Sequence, residues 1–205
     1  KLDNKVKNRF LNLNSSLSNH IHYIKSLLVL IKGISFDRNV IHGDPKLSNF
    51  LFDAHHRFVV SLIDLDTISS GYLLTDLADC IRSICNVAGE DPKDKDDVFF
   101  DINLCNYFLK GYFSLSNEDK NESFRFLPEF IYLIVFELSI RFLTDFLQLN
   151  RYFKIKYKTH NLYRAEVQYR LLFSLLSQIS DLSNELDKIG FSSSSTFVSD
   201  IKKNL

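Results

Sequence analysis

A chain of 205 residues is long enough for one domain with a real buried core. Lysine plus arginine number 25, and aspartate plus glutamate also 25, so no excess of positive charge is present for a nucleic acid or any general polyanion. At 45% hydrophobic and 24% charged residues, the composition is that of a soluble globular protein.

Phenylalanine occurs 19 times while methionine and tryptophan are absent, so Phe side chains must do much of the core filling. The chain starts at Lys1 without an initiator residue and reads as a piece of something longer. Its first twenty residues are polar and mixed, unlike a signal peptide. The most apolar stretch, Phe126 to Leu143, is interrupted by Glu129, Glu137 and Arg141, which a membrane span would not tolerate cheaply. It is expected to be a buried core helix, with no membrane partner. Cys80, Cys85 and Cys105 lie in apolar, helix-like contexts without CxxC spacing. They predict buried reduced thiols and a reducing, cytoplasmic setting.

In chain order, Val6, Phe10 and Leu13 predict a short helix over Asp3 to Leu13. Ser18 is expected to cap a second helix running to about Ile31 and ending at Gly33. Val40-Ile41, Phe50-Leu51-Phe52 and Phe58 to Leu65 read as small strands, with Asp53 to Arg57 turning the last two into a hairpin. Thr75 or Asp76 would cap a helix reaching Val87, followed by an acidic loop from Glu90 to Asp97 and a helix from about Val98 to Phe113. Glu118 to Leu149 is a long helical region bent near Pro128, and Asn161 to Ile189 a last long helix stopped by Gly190. Residues 1–190 form one unit, and residues 191–205, with their run of four serines, a mobile tail. The fold class expected is mainly α with a small antiparallel β-hairpin.

The chemistry concentrates in His42-Gly43-Asp44-Pro45-Lys46-Leu47-Ser48-Asn49 and in Leu62-Ile63-Asp64-Leu65-Asp66. An alcohol is a poor nucleophile until its proton has somewhere to go, and a carboxylate within reach can orient the hydroxyl and accept that proton. Asp44, in a loop shaped by Gly43 and Pro45, is the candidate base. Magnesium takes oxygen ligands in an octahedron and keeps some positions for water and phosphate. Asn49 supplies a neutral oxygen, Asp64 an anionic one, and Asp66 a further carboxylate. A hairpin starting at Phe50 and returning through Ile63 would bring Asn49 and Asp64 to the same end. The run His-x-Asp-x-x-x-x-Asn followed by Ile-Asp has the spacing of a kinase catalytic loop and its metal-binding aspartate. His42, at a strand end, reads as a structural donor to nearby backbone, and His55-His56 as an exposed turn.

With these residues in view, the chain resembles the C-terminal lobe of the aminoglycoside phosphotransferase and choline kinase-like family, and within it the N-acetylhexosamine 1-kinases. The likeness is carried by Arg9-Phe10, by 42–53 and 62–67, by Gly71, Asp76 to Asp79 and Ile81-Arg82, and by Glu90-Asp91. The most discriminating part is the tail: Arg141 to Leu147, Tyr152 to Lys154, Asn161-Leu162, Arg164-Ala165 and Gln168. Gly43 and Phe146 depart from the hexosamine kinase pattern.

The resemblance implies a protein kinase-like C-terminal lobe that uses ATP and Mg2+ to phosphorylate the anomeric hydroxyl of an N-acetylhexosamine. Asp44 would be the base, Asn49 and Asp64 the magnesium and nucleotide ligands, and Arg141, Tyr152 and Arg82 the sugar contacts. Arg141 could equally pair with Glu137, Tyr152 could be packing, and Arg82 could be held by Asp79 or Asp76, while Asp76 itself reads as a helix cap. No glycine-rich loop or β-strand lysine motif is visible, so the nucleotide-gripping N-terminal lobe is expected to be missing and the fragment inactive alone. A non-catalytic sugar- or protein-binding module, and a choline or aminoglycoside kinase of the same fold, remain open.

Overall fold

In the computed structural model, which describes residues 3–55, 57–115 and 122–191, the Asp3 side chain starts the first element. Its Oδ1 accepts from the Val6 N–H at 2.8 Å and caps helix α1, Asn4–Lys32. The expected break at Ser18 does not occur. The Ser18 hydroxyl donates to the Asn14 carbonyl at 2.7 Å and is satisfied inside the helix. Leu13, Leu17, His20 and Leu27 form one buried stripe that passes straight through this position.

Four short strands follow: β1 (Asn39–Ile41), β2 (Phe50–Phe52), β3 (Val59–Leu62) and β4 (Ser69–Gly71). β2 and β3 form the expected antiparallel hairpin, pairing Phe50 with Leu62 and Leu51 with Ser61. Its turn is closed by the Asp53 carboxylate, which accepts from the backbone N–H of Arg57 and Phe58. His55 is exposed there, and His56 lies outside the described residues. β4 was not expected. It pairs with β1, Val40 facing Ser70, and its Ser-Ser-Gly sequence has no apolar alternation to announce a strand.

Helix α2 (Leu73–Cys85) begins two residues ahead of the expected Thr75 or Asp76 cap, so both lie in its first turn. Helix α3 (Ile102–Leu115) begins after Asp101, whose Oδ1 accepts from Asn103 N–H at 2.9 Å and Leu104 N–H at 3.2 Å. Residues 98–101 run extended instead of helical, bridged to the end of α2 through Asn86 and Phe100. Residues 116–121 lie outside the described residues, so the expected helix start at Glu118 does too. A 3-10 turn at Glu122–Phe126 leads into α4 (Leu127–Leu147). Pro128 sits in the first turn of α4, where its missing N–H costs nothing, so it starts the helix rather than bending it. The last long helix is two: α5 (His160–Ser177) and α6 (Ile179–Lys188). Gln178 separates them, its side-chain amide pulled onto the Phe100 carbonyl at 2.6 Å.

α4 and α5 form the centre of the helical body, close enough for the Ser139 hydroxyl to donate to the Ala165 carbonyl at 2.9 Å. Arg9 clamps α1 to α5 through two 2.8 Å hydrogen bonds to Glu166. Buried phenylalanines, among them Phe100, Phe130, Phe142 and Phe146, fill the core as composition required. Phe191 belongs with them: it is buried against Phe113 and Phe124 at ring separations of 4.8 and 5.4 Å, so the mobile tail does not begin there. The rest of that tail, 192–205, lies outside the described residues. All three cysteines are buried and free. Among the described residues no helix is long and apolar enough to cross a membrane. The fold is mainly helical with small antiparallel sheets at one end, as expected.

Candidate active site

The β2–β3 ladder continues one step past the strands, with the Ile63 N–H donating to the Asn49 carbonyl at 2.9 Å. That step sets Asn49 beside Asp64, fifteen positions later in the chain. Asn49 is buried, and its Nδ2 donates to the Asp44 main-chain carbonyl at 2.8 Å. The same amide lies 3.4 Å from Asp44 Oδ2 and 3.5 Å from Asp64 Oδ2, so the three side chains meet at one point. Committing Nδ2 this way leaves Oδ1 without a donor among the described residues. Asp64 holds a left-handed backbone, φ 68° and ψ 52°, an unusual conformation for a non-glycine residue and one that collects at functional sites. Asp66 sits in the next 3-10 turn, exposed, without a hydrogen bond to the other three.

The loop carrying Asp44 is fixed from several sides. His42 is structural, as its position suggested: Nε2 donates to the Ile63 carbonyl at 2.9 Å and Nδ1 accepts from the Asp44 N–H at 3.3 Å. Asp76 does not cap its helix. Its carboxylate accepts from the backbone N–H groups of His42 at 2.6 Å and Gly43 at 3.0 Å, anchoring the loop to α2. The Thr67 hydroxyl donates to the His42 carbonyl at 2.7 Å. Lys46, to which the sequence reading assigned no role, forms an ion pair with Asp44.

Gly43 has φ +86°, and a Cβ there would lie 2.7 Å from the Thr67 carbonyl oxygen. Both the backbone and the close approach of Thr67 call for glycine at this position. Gly43→Ala is expected to cost about 1–2 kcal/mol from the left-handed backbone alone. It should reduce turnover further, because Thr67 must move away from the loop. Urea unfolding and kcat check this, and a variant unchanged in both would show that the turn tolerates a side chain.

Beyond Asp44 opens a cleft of about 490 Å3. One wall is the loop and α2, with Asp44, Asp76 in the first turn of the helix and Arg82 in its last; the other is α4 and the segment after it, with Glu137, Arg141, Phe142, Tyr152 and Lys154. Arg141 is half-exposed, 3.8 Å from Glu137, and lies over the rings of Phe153 and Tyr152 at 5.6 and 6.0 Å. Tyr152 is 75% exposed, so it is not core packing. Arg82 reaches the cleft but is buried, with Nε on Asp79 at 2.6 Å and Nη1 on Glu90 at 3.1 Å. Its partners are therefore Asp79 and Glu90, not Asp76. Asn49, Asp64 and Asp66 lie outside this lining. Asp91, next to Glu90, gathers Arg164, His160 and Lys156. Burial works against its charge, but the Arg164 and Lys156 hydrogen bonds win and hold the carboxyl well below the usual range.

Among the described residues no group of three or more His, Cys, Asp or Glu side chains could hold a metal. The donor set here is different: Asn49 Oδ1, free of protein donors, and the exposed Asp64 carboxylate. Two hard oxygen ligands suit magnesium, which leaves its other positions to water and phosphate, and do not suit zinc.

Residues 15–96 match the model of a family described as "Phosphotransferase enzyme family". The matched span takes in the second half of α1, the loop with Asp44 and Asn49, the hairpin, Asp64 and α2, and it ends in the acidic loop. The match supports a phosphotransferase with a kinase-like fold.

Proposed function

We propose that this chain is the catalytic lobe of an ATP-dependent kinase that phosphorylates a sugar hydroxyl, the anomeric hydroxyl of an N-acetylhexosamine. The observation that carries the reading is the meeting of Asn49 and Asp64 with Asp44, which itself lines a cleft large enough for a monosaccharide. Asp44 takes the role of base, orienting the acceptor hydroxyl and receiving its proton as the new bond to the γ-phosphorus forms and the bond to the β-phosphate oxygen breaks, releasing ADP. Asn49 and Asp64 hold Mg2+, which when bound offsets the charge of the nucleotide phosphates. Lys46 pairs with Asp44 and helps to hold its carboxylate at the cleft.

The lining speaks for a neutral acceptor. Asp44, Asp76, Asp79, Glu90 and Glu137 are matched by Lys46, Arg82, Arg141, Lys154 and Arg164. A quaternary ammonium or polyamine acceptor calls for a net acidic or aromatic cage, which this balance does not supply. Arg141 offers planar donors for acetamido and hydroxyl oxygens, and the exposed Tyr152 ring a face for a pyranose.

The second reading, a module that binds another protein, rests on the hairpin. Phe58, Val59 and Val60 are 63%, 54% and 67% exposed there, an apolar surface of the kind a further lobe or partner covers. The deciding experiment incubates the full-length protein with ATP, Mg2+ and a panel of N-acetylglucosamine, N-acetylgalactosamine, choline and kanamycin. ADP release and phosphorus NMR of the product give the readout. A 1-phosphate of an N-acetylhexosamine is the expected product. Turnover confined to choline or kanamycin would replace the sugar assignment, and no turnover with any acceptor would favour the binding module.

A further inference from the structure

The segment joining α4 to α5 is built at unusual cost for an exposed loop. Leu149 and Asn150 both adopt left-handed backbone, φ 66° and 57°. Two consecutive non-glycine residues in that region persist only where the surroundings over-determine them. Those surroundings converge on Asp145, in the last turns of α4 and 3% exposed. Its Oδ1 accepts from the N–H groups of Arg151 and Tyr152, both at 2.9 Å, and its Oδ2 from Phe153 N–H at 3.0 Å. Asn161 closes the arrangement, its Nδ2 donating to Asp145 Oδ2 at 2.8 Å and to Asn150 Oδ1 at 3.0 Å. The Asn150 N–H donates to the Asp145 carbonyl at 2.7 Å.

Three successive backbone donors on one buried carboxylate leave the loop little freedom. Yet what the loop displays is not buried. It holds Tyr152 out at the cleft mouth with its ring edge-on to Phe153 at 4.8 Å, and Phe153 in turn rests on Phe142 at 4.6 Å. A large apolar ring kept rigidly in solvent beside a cleft is a preformed contact for a ligand, because the ordering entropy is lost on folding and not on binding.

We infer that Asp145, with Asn161, is a positioning residue for the acceptor: it fixes residues 149–153 so that the Tyr152 ring forms a stacking shelf for the apolar face of a sugar. This rests on the sugar kinase reading above. Asp145 never touches the acceptor; it acts through Tyr152.

The test compares wild type, Asp145→Asn, Tyr152→Ala and the double variant of the full-length protein, with N-acetylglucosamine and N-acetylgalactosamine as acceptors. In Asp145→Asn an amide N–H replaces one acceptor oxygen that faces four donors, so the loop loosens while the side-chain shape is kept. The expected result is a rise of tenfold or more in acceptor KM, with the KM for ATP unchanged and kcat within about threefold of wild type. Tyr152→Ala should raise acceptor KM similarly, and the double variant no further, because both changes remove one contact. Should Asp145→Asn fail to fold, Asn161→Ala loosens the same loop and carries the same expectation. A variant with a lowered melting temperature but unchanged acceptor KM, or KM effects that multiply in the double variant, would overturn the positioning role and leave the kinase reading standing. Absence of turnover in the wild type would overturn both.

Discussion

Asp44→Asn is expected to lower kcat by about 10²- to 10⁴-fold, the usual contribution of a positioned general base. The effect should appear in kcat and not in acceptor KM, because the proton moves only as the new bond forms. Protein stability should hardly change. The Asp44 side chain is about one-third exposed, and its ion pair with Lys46 is a partly exposed contact worth no more than about 1 kcal/mol. The contact that fixes the loop, Asn49 Nδ2 on the Asp44 main-chain carbonyl at 2.8 Å, survives the substitution. So do the two backbone bonds from His42 and Gly43 to Asp76. Steady-state kinetics on the full-length protein, with a thermal melt as the folding control, decide the matter. An undiminished rate in a folded variant would remove Asp44 from the mechanism.

The site was legible to the extent that its parts are local or joined by a hairpin. Asp44 and Asn49 share one eight-residue run, and the turn chemistry between Phe52 and Phe58 announces the fold-back that delivers Asp64. What anchors that run was not legible. Asp76 looked like a helix cap because its neighbours do, yet its partners are backbone groups thirty-odd positions upstream, and no local pattern encodes such a pairing. β4 exists only because β1 offers it a ladder. Ser18 is a good cap in isolation, but the apolar stripe of α1 runs on beneath it and tertiary packing decides. Asp145 and Asn161 were noticed as parts of a likeness without a role; their work becomes visible only when three N–H groups are seen pointing at one carboxylate.

Glu129 gives a second strong expectation, this one about stability. It lies in the first turn of α4, 1% exposed, and its Oε2 finds no hydrogen-bond partner among the described residues. Burial pushes its carboxyl up to about 7, against the weaker opposing pull of its own backbone N–H. The unfolded chain titrates near the ordinary glutamate value. Below that value both states are protonated and the residue contributes no pH dependence. As pH rises from there toward 7 the unfolded state releases a proton that the folded state keeps, so stability falls; above 7 the cost is constant. A displacement of this size corresponds to roughly 3 kcal/mol at pH 8. Glu129→Gln keeps the shape and removes the charge, so the variant should be more stable than wild type by up to about 3 kcal/mol at pH 8 and about equal to it at pH 4. Two other groups pull the opposite way. Asp91, with its carboxyl held low, loses its contribution as pH falls below the ordinary aspartate range. His20, held by burial down to about 4, destabilises the fold as pH drops below the ordinary histidine value. Both are common to the two proteins and cancel in the difference between them. Urea denaturation of wild type and variant at pH 5, 6, 7 and 8 therefore isolates Glu129. A difference that stays flat across that range would mean that this carboxyl finds a partner or water that keeps it charged.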